Sequence, residues 1–198
     1  GGEGGGHTGD VATSILIPRV VDACKGKISP LTGQQVPVVA AGGIFDSRGL
    51  AMALAMGAQA VWVGTRFVAC TEAAAPSRHK KGVVGAGYAD THRTLIYTGR
   101  PLRIVKNKYS MDWEINRSKE ITELCAQGKL PHEWDMAERT KSGEEINPKD
   151  YIEAMPLLCG AVAGAIDEVL PAKVIVDEMV TGAAAILKQN ATLVVSRL

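Results

Sequence analysis

The stretch Pro37-Val38-Val39-Ala40-Ala41-Gly42-Gly43-Ile44 restricts what this chain can fold into more than any other. Val36 to Ala41 is a short, β-branched apolar run of the kind that makes a parallel strand covered on both faces. Gly42 and Gly43 leave the backbone bare where it must turn, and Asp46 is placed to cap a following helix. Leu50, Ala53 and Leu54 mark one face of that helix, and Gly57 suits its end. Ala60-Val61-Trp62-Val63 is a second strand, closed by Gly64-Thr65. The predicted unit is strand, glycine pair, helix, strand, Gly-Thr, with two phosphate-type turns on neighbouring parallel strands. Backbone N–H groups converging at such turns attract anions. A glycine pair alone is equally a plain strand–helix turn. The second glycine turn, one βαβ unit later, favours phosphate.

Upstream, residues 1–10 hold six glycines with Glu3, His7 and Asp10. Gly-rich segments are often linkers. The absence of serine repeats and the interspersed Glu3, His7 and Asp10 instead suggest a strand end and its functional loop, and the abrupt glycine-dense opening reads as a fragment. Val11 to Cys24 predicts a helix through Ile15, Ile17, Val20, Val21 and Cys24, with Pro18 early in it. Downstream, Glu72-Ala73-Ala74-Ala75 predicts a short helix ended by Pro76. Thr94-Leu95-Ile96-Tyr97 and Arg103-Ile104-Val105 predict a strand pair across Thr98-Gly99-Arg100-Pro101. Ser110 is placed to cap a helix carrying Ile121, Leu124 and Cys125 and stopped by Gly128. Lys129 to Asp150 reads as a polar, mobile excursion. Pro171 opens a last helix whose inward stripe is Ile175, Met179, Ala183, Ile186 and Leu187. Trp62 is expected in the core because it lies in a strand, and Trp113 and Trp134 are expected to pack the insertion over residues 77–155.

Composition closes off several classes. Net charge is +1, with 46% hydrophobic and 22% charged residues, so neither nucleic acid nor an anionic membrane is expected as a partner. The basic cluster Arg78-His79-Lys80-Lys81 lacks interleaved aromatics and reads as a solvated turn. Gly49 to Thr65 is the longest uncharged run and is too short and too broken to span a bilayer. Cys24, Cys70, Cys125 and Cys159 are too widely spaced for a CxxC or zinc pattern, which suggests reduced thiols in an intracellular compartment. His79, His92 and His132 have no metal-ligand spacing either. The C-terminal Ser196-Arg197-Leu198 resembles a peroxisomal address, against the alternative of a chance terminal sequence. A fluorescent protein carrying the last ten residues should become punctate in cells, and diffuse fluorescence would remove the assignment.

Two parallel strands ending in glycine turns, preceded by a third strand end, predict an α/β fold of a particular kind. It is the C-terminal portion (strands 6–8) of a (β/α)8 TIM barrel with an α-rich insertion. In such barrels the cofactor phosphate sits on the loops after strands seven and eight, at the face where active sites lie. On this reading residues 1–76 carry the barrel strands and phosphate loops. Residues 77–155 form an insertion or lid, and residues 156–198 return to the barrel. A closed barrel takes about 200–250 residues, so these strands are expected to present an open edge and to bind cofactor poorly alone.

Three ordered motifs carry a resemblance. Gly2-Glu3-Gly4-Gly5-Gly6-His7-Thr8-Gly9, Pro37 to Ile44 with Asp46, and Gly64-Thr65-Arg66-Phe67 with Glu72-Ala73 resemble the nitronate monooxygenases. These are FMN-dependent barrel enzymes formerly called 2-nitropropane dioxygenases. The segment Arg93 to Pro101 resembles fungal members most. The chain departs from the family pattern at Gly4, where relatives usually have alanine. It departs again at Ala161-Val162-Ala163, where relatives often carry a glutamine, so no cofactor role is assigned there.

The resemblance implies that Gly42, Gly43, Gly64 and Thr65 hold the FMN phosphate. It also implies that His7 faces flavin and substrate as the catalytic base. The implied reaction is oxidation of an alkyl nitronate or nitroalkane by oxygen to a carbonyl compound and nitrite. The implied partners are those small molecules, with homo-oligomerisation left open. Two other readings stay open: an NAD(P)H:quinone or enoyl reductase of the same barrel type, and a non-catalytic flavin- or phosphate-binding scaffold.

Overall fold

The computed structural model describes residues 1–145 and 147–193, so Ser196-Arg197-Leu198 lies outside the described residues. In chain order the elements begin with β1 (Gly6–His7), α1 (Thr13–Cys24), β2 (Val39–Ala41), α2 (Ser47–Ala55), β3 (Ala60–Trp62) and α3 (Thr65–Val68). They continue with α4 (Ser77–Val84), β4 (Thr91–Thr94), β5 (Leu102–Val105), α5 (Lys108–Asn116), α6 (Ser118–Ala126) and α7 (Pro131–Lys141). The last are α8 (Pro148–Ala154), a 3-10 turn (Ala161–Ala165) and α9 (Ala172–Ala191).

The βαβ unit forms as its sequence dictates. β2 and β3 pair in parallel, Val39 opposite Ala60 and Ala41 opposite Trp62. Asp46 caps α2, its carboxylate accepting from the Gly49 amide at 2.9 Å. Gly57 then turns the chain at φ +94°, which costs a glycine nothing. Ala40 and Ala53 meet Ile17 of α1 and Ile175 and Met179 of α9 in one apolar cluster. α9 crosses the start of α2 at Gly182, where an added methyl would lie 2.6 Å from Ser47 Cβ. Its buried stripe, Ile175, Met179 and Ala183, keeps helical spacing, while Ile186 and Leu187, expected to continue it, are only half-buried.

A second sheet, in order β1-β5-β4, is antiparallel throughout. The expected hairpin is present but displaced, with β4 at Thr91–Thr94 and Leu95 to Pro101 in the connection. The glycine-rich opening adds to its edge, Gly6 opposite Arg103 and His7 opposite Leu102. A segment so poor in side chains can lie close to another backbone and have its polar groups satisfied there. The helices that follow pack Trp113, Ile121 and Leu124 against Ile96, Tyr97, Leu102 and Ile104.

Several local expectations are corrected. Residues 73–76 are not helical, because Pro76 precedes α4 instead of ending a helix. The basic cluster is not a solvated turn but part of α4. There Lys80 donates to the Cys70 and Thr71 carbonyls, and Arg78 to the Glu153 carbonyl. Asn107, not Ser110, caps α5, and Ser110 is the third residue of a reciprocal capping box. Lys129 to Asp150 contains α7, held by ion pairs of Asp135 to Arg117 and Arg139. Trp62 is not core but 74% exposed. Strand alternation puts it on the face opposite Ala40 and Val61, beside the half-exposed Val39, and no layer covers that face among the described residues.

Candidate functional site

The two glycine turns and the glycine-rich opening converge on one cavity of about 360 Å³. His7, Gly42, Gly43, Gly64 and Thr65 all line it, so the residues singled out in the sequence are brought together. The volume lies in the range of about 300–1,000 Å³ usual for small-molecule sites.

Gly42 and Gly43 both take positive φ, +95° and +76°, a conformation that L side chains rarely adopt. Gly42 also lies where a Cβ would come within 3.0 Å of the Gly4 amide. Among the described residues the amides of Gly42, Gly43, Gly64 and Thr65 have no protein acceptor. Amides gathered in turns form concave anion sites. The α2 terminus itself is not available, because Asp46 fills it, so at Gly42-Gly43 the donors are turn amides, whereas Gly64 and Thr65 are the N-cap and first residue of the short α3. Thr65 Oγ1 accepts from the Gly160 amide at 2.7 Å, which leaves its hydroxyl proton free to donate into the cavity.

Glu3 does not touch His7. Its carboxylate accepts from the Thr13 amide (2.8 Å) and hydroxyl (2.7 Å), tying the glycine-rich loop to the start of α1. Burial resists ionisation of this carboxyl, but the two Thr13 hydrogen bonds outweigh it and hold Glu3 below the usual carboxylate range. Arg103 clamps the same loop from the other side, donating to the Gly2 carbonyl at 2.9 Å.

His7 is exposed, at the edge of the second sheet. Its Nε2 lies 2.9 Å from Thr98 Oγ1, and its Nδ1 lies 3.3 Å from an Arg100 guanidinium nitrogen. The far wall of the cavity is Cys159 and Gly160, which the sequence did not mark. The Ala161 amide donates to the Glu3 carbonyl at 2.9 Å, and an added Cβ on Gly5 would meet the Cys159–Gly160 backbone at 2.7 Å. Nothing local to residues 159–160 signals that contact, because its partners are more than 150 positions away. Trp62 also reaches the cavity, and its place at the strand end beside Gly64 was the available sign. Burial pushes the Cys159 thiol up to about 12, so it stays protonated near neutral pH.

A parallel βαβ unit whose two turns carry unpartnered amides lines one small-molecule cavity together with an imidazole, in an α/β protein. The nitronate monooxygenase family model matches residues 1–182, and the chain belongs to that family. A nitronate monooxygenase of Pseudomonas aeruginosa is 37% identical over 114 residues, 56% of this chain and 31% of that protein. A 5-hydroxy-7a-methyl-1-oxo-octahydro-1H-indene-4-carboxyl-CoA dehydrogenase of Mycobacterium tuberculosis is 46% identical over 108 residues, 54% of this chain and 28% of that protein. Among solved structures, FabK from Thermotoga maritima superposes with a TM-score of 0.70 at 27% identity, over 98% of this chain and 56% of that one. The chain spans less than half the length of these curated relatives.

Proposed function

We propose that the full-length protein binds FMN and oxidises alkyl nitronates or nitroalkanes with oxygen, giving a carbonyl compound and nitrite. The observation that carries this is the convergence of His7 with the unpartnered amides of Gly42, Gly43, Gly64 and Thr65 on one cavity. The fit to a phosphate is good, since a dianion gains most from N–H donors that have no other partner. In this reading the strands β2 and β3 are the last two of a (β/α)8 barrel. Residues 77–155 are an insertion carrying the hairpin that backs His7, and residues 156–198 return to the barrel. Bound FMN would supply the electron-transfer chemistry between substrate and oxygen. The chain's own part is to hold the phosphate on the glycine turns and to take the substrate's α-proton on His7.

Gly64 supplies the test of the phosphate site. Its φ of −104° suits any L residue, and an added Cβ meets nothing within 4 Å. Gly64→Leu should therefore melt like the parent while filling the space over the turn. Its FMN affinity, read by fluorescence titration, should fall at least about tenfold. Unchanged affinity would take the phosphate away from this turn.

The likeness to a carboxyl-CoA dehydrogenase supports a second reading, a flavin-dependent dehydrogenase or reductase of the same barrel type. A protein that oxidises NAD(P)H with a quinone or enoyl substrate, and leaves nitronate untouched, would belong there. A colourless full-length protein would instead favour a binding scaffold.

A further inference from the structure

Both polar contacts of the His7 ring come from the connection between β4 and β5, which the sequence did not link to the site. Their chemistry fixes the direction of each bond. A guanidinium donates and never accepts, so His7 Nδ1 accepts from Arg100. A neutral imidazole then carries its one proton on Nε2, which donates to Thr98 Oγ1. The Thr98 hydroxyl in turn donates to the Arg100 carbonyl at 3.2 Å. Thr98 thus fixes the tautomer, and Arg100 covers the basic lone pair. Arg100 is exposed, and its side chain forms no ion pair among the described residues.

We propose that Arg100 is the anion anchor of this site: the substrate's nitro group takes over its guanidinium, and that exchange uncovers His7 Nδ1 for the α-proton. The inference rests on the reading of His7 as the base. As Nδ1–H forms, the α C–H bond breaks and its electron pair becomes the C=N bond of the nitronate. The negative charge settles on the two nitro oxygens, and no oxidant or reductant enters this step. A planar guanidinium fork matches a planar pair of oxygens better than a point charge does. A cation placed there also favours formation of the anion. A preformed nitronate already carries the charge, so for it Arg100 acts on binding alone.

Steady-state kinetics of the full-length, flavin-loaded protein test this with Arg100→Gln, Arg100→Lys and His7→Asn. Arg100 is exposed and its replacement does not threaten folding. A lost charge-assisted hydrogen bond is typically worth about 10- to 100-fold in binding. Arg100→Gln should raise KM for propyl nitronate by about that factor with kcat within about twofold, and Arg100→Lys should recover part of it. With neutral 1-nitropropane, Arg100→Gln should lower kcat as well. A second readout needs no turnover. In ¹⁵N-histidine-labelled protein, inorganic nitrate, a planar oxyanion, should shift the His7 Nδ1 resonance in the parent and not in Arg100→Gln.

A parental KM for nitronate in Arg100→Gln, or a parental nitrate response in that variant, overturns the anchor even if His7→Asn behaves as a lost base. A His7→Asn protein that oxidises nitropropane at the parent rate withdraws the base instead. The Arg100 effect on nitronate KM would survive that result.

Discussion

In the full-length protein, His7→Asn should slow oxidation of a neutral nitroalkane by about 10²- to 10⁴-fold, the usual contribution of a positioned general base. The cavity offers no substitute. Glu3 is occupied by both hydrogen-bonding groups of Thr13, and the Cys159 thiol is held protonated by burial. Thr65 is a hydroxyl already accepting from Gly160. The other histidines are engaged away from the cavity: His79 with the Leu158 carbonyl, His92 with Ser110, and His132 against the Tyr97 and Tyr109 rings. A preformed nitronate has no α-proton to lose, so its oxidation should fall much less. FMN content should stay at the parent level, because the turn amides do not depend on the imidazole. Comparing initial rates on the two substrate forms checks this. Equal, parental rates on both with flavin intact would remove His7 from the base role.

The largest loss of stability is expected far from those turns, at Asp135. Its carboxylate is buried, and it receives Arg117 at 2.8 Å, Arg139 at 3.0 Å and the Tyr109 hydroxyl at 3.1 Å. Arg117 also pairs with Glu120 and lies 3.4 Å over the Trp113 ring, which is fully buried. Removing the carboxylate leaves the Tyr109 hydroxyl without its acceptor and takes the closest partner from Arg139, which typically costs about 1–3 kcal/mol. Asp135→Ala should therefore move the urea midpoint well down, and Asp135→Asn, which keeps an acceptor for Tyr109, should move it less. Arg139 also pairs with Glu144 at 3.4 Å, so an unchanged midpoint for Asp135→Ala would show that Glu120 and Glu144 alone suffice to hold Arg117 and Arg139. Burial also pushes the Tyr109 hydroxyl well above its ordinary range, so it stays a donor to Asp135 at any working pH.

What could be read from the sequence had local causes. The βαβ unit was legible because β-branched strand residues, positive-φ glycines and a capping Asp46 act within a few positions of one another. The α9 stripe was legible because Ile175, Met179 and Ala183 repeat at helical spacing after Pro171. His7 and the four turn residues were legible as candidates, and they do meet. The rest depends on contacts between distant positions. Nothing near Gly6 announces that it will pair with Arg103, and nothing near Gly160 announces Gly5. Thr98 and Arg100 read as an ordinary turn until β1 joins β5 and brings His7 over them. Trp62 was misjudged because a strand has two faces and periodicity does not say which one is covered. The basic run 78–81 was misjudged because charge suggests water, whereas here it serves bare carbonyls.

On the proposed reading, the cavity between the glycine turns and His7 supports oxidation of nitronates by oxygen. An oxygen electrode with the full-length, FMN-loaded protein and propyl nitronate tests it most directly, with nitrite assayed in the same samples. Rapid oxygen uptake accompanied by nitrite release is expected, abolished when the flavin is removed and restored when FMN is added back. Oxygen uptake no faster than the blank with nitronate, together with rapid oxidation of NADH by a quinone, would contradict it.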